Sequence, residues 1–313
     1  MHSRRSLRQN LKGLLFVSPW LIGFIVFSLY PMLSAIGLAF TNYNILQPAR
    51  AEFTGLANLT RLINDPLFWK SLSNTGFMTI IGVPLLIILS LLVALPLNRD
   101  MRGISFYRTA VYLPALLPPM VVVLLFLWIL NPNYGLLKLP FDALGVQSPG
   151  WLADPRWSKP AILIMVLWNT VGQVMVITLA GLRDIPKHLY EAASIDGAGS
   201  VRKFFDITLP GLSPVIFYNV LTGVLSFVQI FTQAFVSSVG GSGGGSSGSS
   251  LGSPVNSTLM MSLHIYKTAF YSSQAGYAAM LSLVVLIFSL GLAFLFFRFA
   301  QRYVYYEFAE NPA

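Results

Sequence analysis

Six stretches of this chain are each apolar for about 20 residues, and no other feature constrains its fold as strongly. A helix rises about 1.5 Å per residue, so about 20 apolar residues cross the ~30 Å hydrocarbon layer of a bilayer. The stretches run from about Leu14 to Phe40, Gly76 to Leu97, Thr109 to Leu130, Ala161 to Leu182, Val215 to Val236 and Gly276 to Phe297. Composition excludes a soluble alternative. Of the 313 residues 55% are hydrophobic and 10% charged, and the mean hydropathy is +0.68, whereas soluble domains carry about 25% charged residues. A bilayer accommodates that much outward-facing apolar surface; one or two aqueous cores do not. The expected fold class is all-α integral membrane with about six transmembrane helices. The first run follows Arg4, Arg5, Arg8 and Lys12 as a secretory leader would. It is too long for one and lacks a prompt small-residue cleavage site, so it reads as a retained helix.

The formal net charge of +9 sits at the ends of the apolar runs rather than on one basic face, which is a topological use of Lys and Arg and argues against a nucleic-acid partner. With the N-terminus inside, its four basic residues are cytoplasmic, as are Arg99, Arg102, Arg108, Arg183, Lys187, Arg202, Lys203, Arg298 and Arg302. The seven left outside are Arg50, Arg61, Lys70, Lys138, Arg156, Lys159 and Lys267. The bias predicts both termini in the cytoplasm. It divides the chain into a cytoplasmic segment 1–13, a transmembrane domain 14–300 and a cytoplasmic tail 301–313. Three outside loops are long, about 41–75, 131–160 and 237–275. Gly240 to Ser253 is almost pure Gly and Ser, so a flexible external loop is expected over 237–257.

The inside loop 183–210 has a different character. Pro186 suits the first turn of a helix, and Asp196-Gly197 is a stop and turn signal. Between them Leu189, Ala192, Ala193 and Ile195 give an apolar surface interrupted by Lys187 and Glu191. Ser200 is placed to cap a second short helix carrying Phe204 and Phe205 and ending near Pro210. Two short amphipathic helices joined by a glycine turn form a shaped surface, which points to docking on that side.

That loop reads Glu191-Ala192-Ala193-Ser194-Ile195-Asp196-Gly197-Ala198, then Phe204, Ile207, Leu209 and Pro210. It resembles the EAA motif of the permease subunits of bacterial and archaeal ABC importers at each of these positions. Phe53 to Asn58, Asp65, Phe68-Trp69, Asn74-Thr75, Leu113-Pro114, Asn131 to Leu137 and Gly252 to Thr258 are similar to segments of the sugar-type (maltose/glycerol-phosphate-like) subgroup, although Ser253 stands where a second glycine is usual. The resemblance implies a MetI-like bundle with a cytoplasmic coupling helix, in a prokaryotic inner membrane. It implies as partners two copies of an ATPase subunit, a second and usually different permease, and an extracytoplasmic solute-binding protein. The coupling residues carried over are Glu191, Ala192, Ala193, Asp196, Gly197 and Ala198, with Glu191 facing a basic residue of the ATPase and Gly197 allowing the turn.

What the chain lacks points the same way. It has no Gly-x-x-x-x-Gly-Lys-[Ser/Thr] phosphate loop, so ATP and Mg²⁺ are expected on a separate subunit and no cofactor on this one. It has no cysteine, and His2, His188 and His264 show no metal-ligand spacing. No paired carboxylates fall within a span, which weakens the alternative of an ion-coupled secondary transporter and leaves an enzyme in its own right without parts. Uncharged amides do occur in the spans. Asn169 and Gln173 share a helix face, as do Gln229 and Gln233, and Asn219 lies nearby. Two roles are open to them: lining a solute path, where Trp168 or Phe227 offers a ring, or bonding neighbouring helices. Pro114, Pro118 and Pro119 are expected to kink the third span.

Overall fold

A computed structural model describes residues 13, 15–99, 101–240 and 250–303, the last five as backbone only. The expectations for the basic N-terminal segment, most of the Gly/Ser stretch, Arg302's side chain and the tail from 304 lie outside the described residues. All regular structure described is helical apart from an isolated bridge between Thr41 and Phe53. The helices are α1 (Leu15–Ala39), α2 (Ala57–Ile63), α3 (Pro66–Leu97), α4 (Ile104–Tyr112), α5 (Pro119–Ile129), α6 (Lys138–Ala143), α7 (Pro155–Asp184) and α8 (Lys187–Ile195). They continue as α9 (Ser200–Lys203), α10 (Ser213–Val228), α11 (Thr232–Gly240), α12 (Met261–Tyr266) and α13 (Ala275–Tyr303). Five spans are long and apolar enough to cross a membrane, α10 and α11 together forming one of them, and the bent pair α4–α5 makes six.

Internal contacts divide the chain into two units, residues 1–65 with 268–286 and residues 66–267 with 287–313. In the first, α1 is not buried along its apolar window, as befits a lipid-facing helix, and it carries a π turn at Ile25–Leu29. Asn58 Nδ2 donates to the carbonyls of Ala39 and Thr41, each at 2.8 Å, holding α2 to the end of α1. Gly276 lies so close to the Thr41 carbonyl that a Cβ would stand 2.2 Å from it. The Tyr277 hydroxyl donates to Asp65 (2.6 Å) under the Arg61 guanidinium, 4.1 Å above its ring.

The second unit is built on α3, α7 and α10. Glycines let them close together: a Cβ on Gly82 would fall 2.1 Å from the Phe227 ring, and one on Gly181 would fall 2.5 Å from Val215. Both long helices start earlier than their apolar runs because polar turns extend them out of the hydrocarbon. Pro66 opens α3, and at α7 the Asp154 carboxylate accepts from the Arg156 N–H (2.9 Å) while Pro155 fills the first position. Arg156 also holds that carboxyl below its ordinary value of 3.8.

Three departures from the sequence reading are local. The third span bends where its prolines imply, but as a break and not a kink: α4, extended by a 3₁₀ turn at Leu113–Leu116, meets α5 at 100°. Leu117 and Pro118 are extended because a residue preceding proline is pushed out of the helical region. The fifth span breaks at Gln229–Phe231 between α10 and α11, although no proline or glycine marks the place. The Ser262 hydroxyl donates to the Val228 carbonyl at 3.5 Å there. Finally, the described flanks of segment 237–257 are packed rather than coil-like. Ser237, Ser238, Leu251, Ser257 and Thr258 are buried. Ser238 Oγ accepts from the Gly252 N–H (3.1 Å) and lies 3.0 Å from Thr258 Oγ1, so the two ends of the stretch are pinned together. Apolar Leu251, Leu259 and Met260 drive this burial.

Candidate functional site

The loop 183–210 folds as the sequence implies, into a hairpin of short helices. α8 follows Pro186 and ends in a Schellman arrangement. Gly197 N–H donates to Ser194 O (3.2 Å) and Ala198 N–H to Ala193 O (2.8 Å), with Asp196 as the C-cap. Gly197 adopts φ +74°. No atom lies within 4 Å of a Cβ built there, so the requirement for glycine is one of backbone conformation and not of space. The expected Ser200 cap is not made. Gly199 occupies the cap position with no side-chain bond, and Ser200 is the first residue of α9. α9 then runs through a π turn, Phe204–Thr208, and a last turn, Leu209–Gly211.

The hairpin is fastened internally and at its root. Ser194 Oγ donates to Tyr190 O (2.7 Å) and accepts from Lys203 Nζ (2.6 Å), while Tyr190 OH and Thr208 Oγ1 are 2.9 Å apart. Ile185 and Leu212, at the two ends, are buried in one cluster with Ala94, Leu97, Met175 and Leu182, and Tyr190 and Ile207 pack against it. Arg108 closes the same region by donating from Nε (3.2 Å) and Nη2 (2.6 Å) to the Leu97 carbonyl at the end of α3. The root of the hairpin thus packs on α3, α7 and the start of α10 together.

Its outer surface is bare among the described residues. Of α8, Tyr190 and Ala193 are half-buried and every other residue is exposed, Glu191 and Ala192 included; beyond it Asp196 and Gly197 are exposed and Ala198 half-buried. Ile195 is 88% and Val201 73% exposed, in a segment too polar for the hydrocarbon layer. Small residues beside exposed apolar ones, with the carboxylates of Glu191 and Asp196, form a surface suited to close contact with another protein.

The polar residues of the spans separate into two groups. Asn169 Nδ2 donates to the carbonyls of Pro114 (2.7 Å) and Leu117 (3.3 Å), which the bend between α4 and α5 has freed. Asn219, buried, donates to Thr178 Oγ1 (3.3 Å), and its Oδ1 has no partner among the described residues. Gln173 and Gln229 are exposed and Gln233 is half-buried. Gln229 stands at the break between α10 and α11, where Phe231, Phe235 and Tyr266 gather with ring centroids 5.1 to 5.5 Å apart. The break itself, and hence this grouping, was not legible from the sequence.

Residues 86–305 match the family of binding-protein-dependent transport system inner membrane components. The chain belongs to this family. The permease is 34% identical over 314 residues to a probable ABC transporter permease protein, YesP, of Bacillus subtilis strain 168, covering 99% of this chain and 97% of that one. It is 34% identical over 307 residues to the lactose transport system permease protein LacF of Rhizobium radiobacter, covering 96% and 98%. Its fold superposes with a TM-score of 0.80, at 19% identity and over 96% of this chain and 98% of the other, on a chain of a bacterial alginate ABC transporter crystallised with a periplasmic protein carrying an alginate pentasaccharide. The permease is thus a multi-pass membrane transport subunit rather than a catalytic one, and the family favours this reading over an ion-coupled secondary transporter.

Proposed function

We propose that this permease forms half of the translocation pathway of an ATP-driven importer for a sugar or sugar-like solute. Two copies of a separate ATPase bind the ATP and Mg²⁺, one of them docking on this hairpin, and a second permease completes the pathway. The observation that carries the proposal is the hairpin, rigid within, rooted in the core of three helices and bare on its outer surface. Glu191 and Asp196 supply charge to the contact, Ala192, Ala193 and Ala198 let the partner approach, and Gly197 sets the turn. The hairpin lies in the cytoplasm, with both termini, and an extracytoplasmic binding protein loads the opposite side. A sugar is supported by the lactose permease relative and by the alginate transporter whose chain shares the fold.

ATP dependence is the direct test. In proteoliposomes of the assembled importer loaded with ATP, uptake continues when a protonophore collapses the ion gradient and stops when ATP is removed. The reverse pattern returns the secondary transporter to the front.

Within the pathway, Gln173, Gln229 and Gln233 hydrogen-bond solute hydroxyls, while Asn169 and Asn219 hold the helices that carry them. Gln229→Ala is expected to lower uptake at least about tenfold, the worth of one or two lost hydrogen bonds, with the complex assembled normally. Unchanged uptake by that variant removes Gln229 from the path.

A further inference from the structure

The charge pattern assigns seven basic residues to the outside, against the usual bias. Five have partners within the chain. Arg50 donates to Gln47, Arg61 to Gln274, Arg156 pairs with Asp154, Lys138 with Asp142, and Lys267 donates to the Leu251 carbonyl. Of the other two, Lys159 donates to the Asn74 amide oxygen, and Lys70 makes no hydrogen bond or ion pair among the described residues. They also belong to one place. Lys70, Asn74 and Phe77 follow one another at helical spacing along a face of α3. Lys159 of α7 reaches that face, its Nζ 3.4 Å from Asn74 Oδ1 and 4.7 Å from the Phe77 ring centroid. Asn74 is 1% exposed and fixed through its Nδ2 to the carbonyls of Asn256 (2.8 Å) and Leu259 (3.1 Å), so its oxygen is held towards the lysine.

Depth identifies the ligand. α3 has 32 residues and α7 has 30, about 48 and 45 Å at helical rise, longer than the ~30 Å hydrocarbon layer. Both lysines fall in the second turn from the helix start, within the length by which each helix exceeds that layer. Exposed Trp69 and Trp157 flank them, as aromatic residues do at a membrane interface.

We infer that Lys70 and Lys159 form a binding site for the phosphate of an anionic phospholipid, held between α3 and α7. Asn74 orients the Lys159 ammonium, the Phe77 face supports it, and the acyl chains run down the apolar surfaces below. The site is separate from the hairpin and from the amides of the proposed solute path, so its test is independent of both.

The test is native mass spectrometry of the assembled importer in mild detergent, titrated with phosphatidylglycerol or phosphatidylcholine. The wild type is expected to bind phosphatidylglycerol in preference. The double variant Lys70→Gln with Lys159→Gln should bind it about thirtyfold more weakly, because each interfacial cation contributes roughly 1 kcal/mol. Lys159→Arg, which keeps the charge, and Lys138→Gln, which touches a different ion pair, should bind as the wild type does. Equal affinity in wild type and double variant overturns the assignment, as does equal binding of the two lipids. Displacement of the lipid by millimolar inorganic phosphate would also overturn it, since the site would then be one for a free anion.

Discussion

Reversing the charge of Glu191 should leave the permease folded and abolish its partnership with the ATPase. In a tagged purification from the native host, wild type is expected to bring down an ATPase and a second permease. Glu191→Arg should keep the second permease and lose the ATPase, with uptake falling by a factor of about 30 or more. That magnitude corresponds to the roughly 2 kcal/mol or greater cost of breaking a charge pair buried in an interface. The fold should survive because Glu191 is exposed and none of the hairpin's fastenings pass through it; those run through Tyr190, Ser194, Lys203 and Thr208. An ATPase retained at wild-type level by the variant removes Glu191 from the contact, and its absence from both samples counts against an ATP-driven importer altogether.

The second large effect concerns packing. A Cβ on Gly172 of α7 would stand 2.4 Å from the Val111 carbonyl oxygen and 2.9 Å from the Tyr112 Cα, both backbone atoms of α4. Backbone cannot swing aside as a side chain can, so α4 would have to retreat from α7 and carry the bend at Leu117–Pro118 with it. Gly172→Ala is expected to cost about 1–3 kcal/mol or more and to lower the thermal midpoint measured in detergent. Gly76, in α3, supplies the control, because a Cβ there meets nothing within 4 Å. Gly76→Ala should raise stability slightly, by up to about 1 kcal/mol, since it removes backbone freedom from the unfolded chain. Equal shifts in the two variants would show that the close approach of α4 to α7 does not matter energetically.

The hairpin at 183–210 was readable because its determinants are local. Helix start, helix stop and left-handed turn are each set by residues within a few positions of one another, from Pro186 to Ala198. The bend in the third span was legible in kind from Pro118 and Pro119, but its 100° angle depends on Asn169, a residue of another helix that accepts the task of satisfying the freed carbonyls. The opening of α7 was also written locally, in Asp154-Pro155, where hydropathy alone starts the span several residues late.

Features made by distant residues were hidden. The break at Gln229–Phe231 lacks a helix-breaking residue, and its neighbours Phe227, packed on Gly82, and Ser262 come from opposite sides of the chain's order. The order of 250–266 was obscured by the Gly/Ser composition before it. Leu251, Leu259 and Met260 are few and scattered, and they count only once Asn74 and Thr75 have bonded the backbone of Asn256, Leu259 and Met261 and Ser158 the Ser257 hydroxyl. Among the span amides, no spacing rule separates Asn169 and Asn219, which bond other helices, from Gln173 and Gln229, which are exposed.

The pinning of Ser238 to Gly252 also bears on how this permease can vary over evolutionary time. Ends that are already fixed 3.1 Å apart decouple the fold from whatever number of residues joins them, and each doubling of that number adds only about 0.6 kcal/mol of closure entropy. Insertions and deletions between these two anchors are therefore nearly neutral, while a single substitution at Ser238 is not. The Gly/Ser stretch is in this sense a permissive seam, a place where an epitope or a reporter domain can be introduced on the face opposite the hairpin without asking the helices to move.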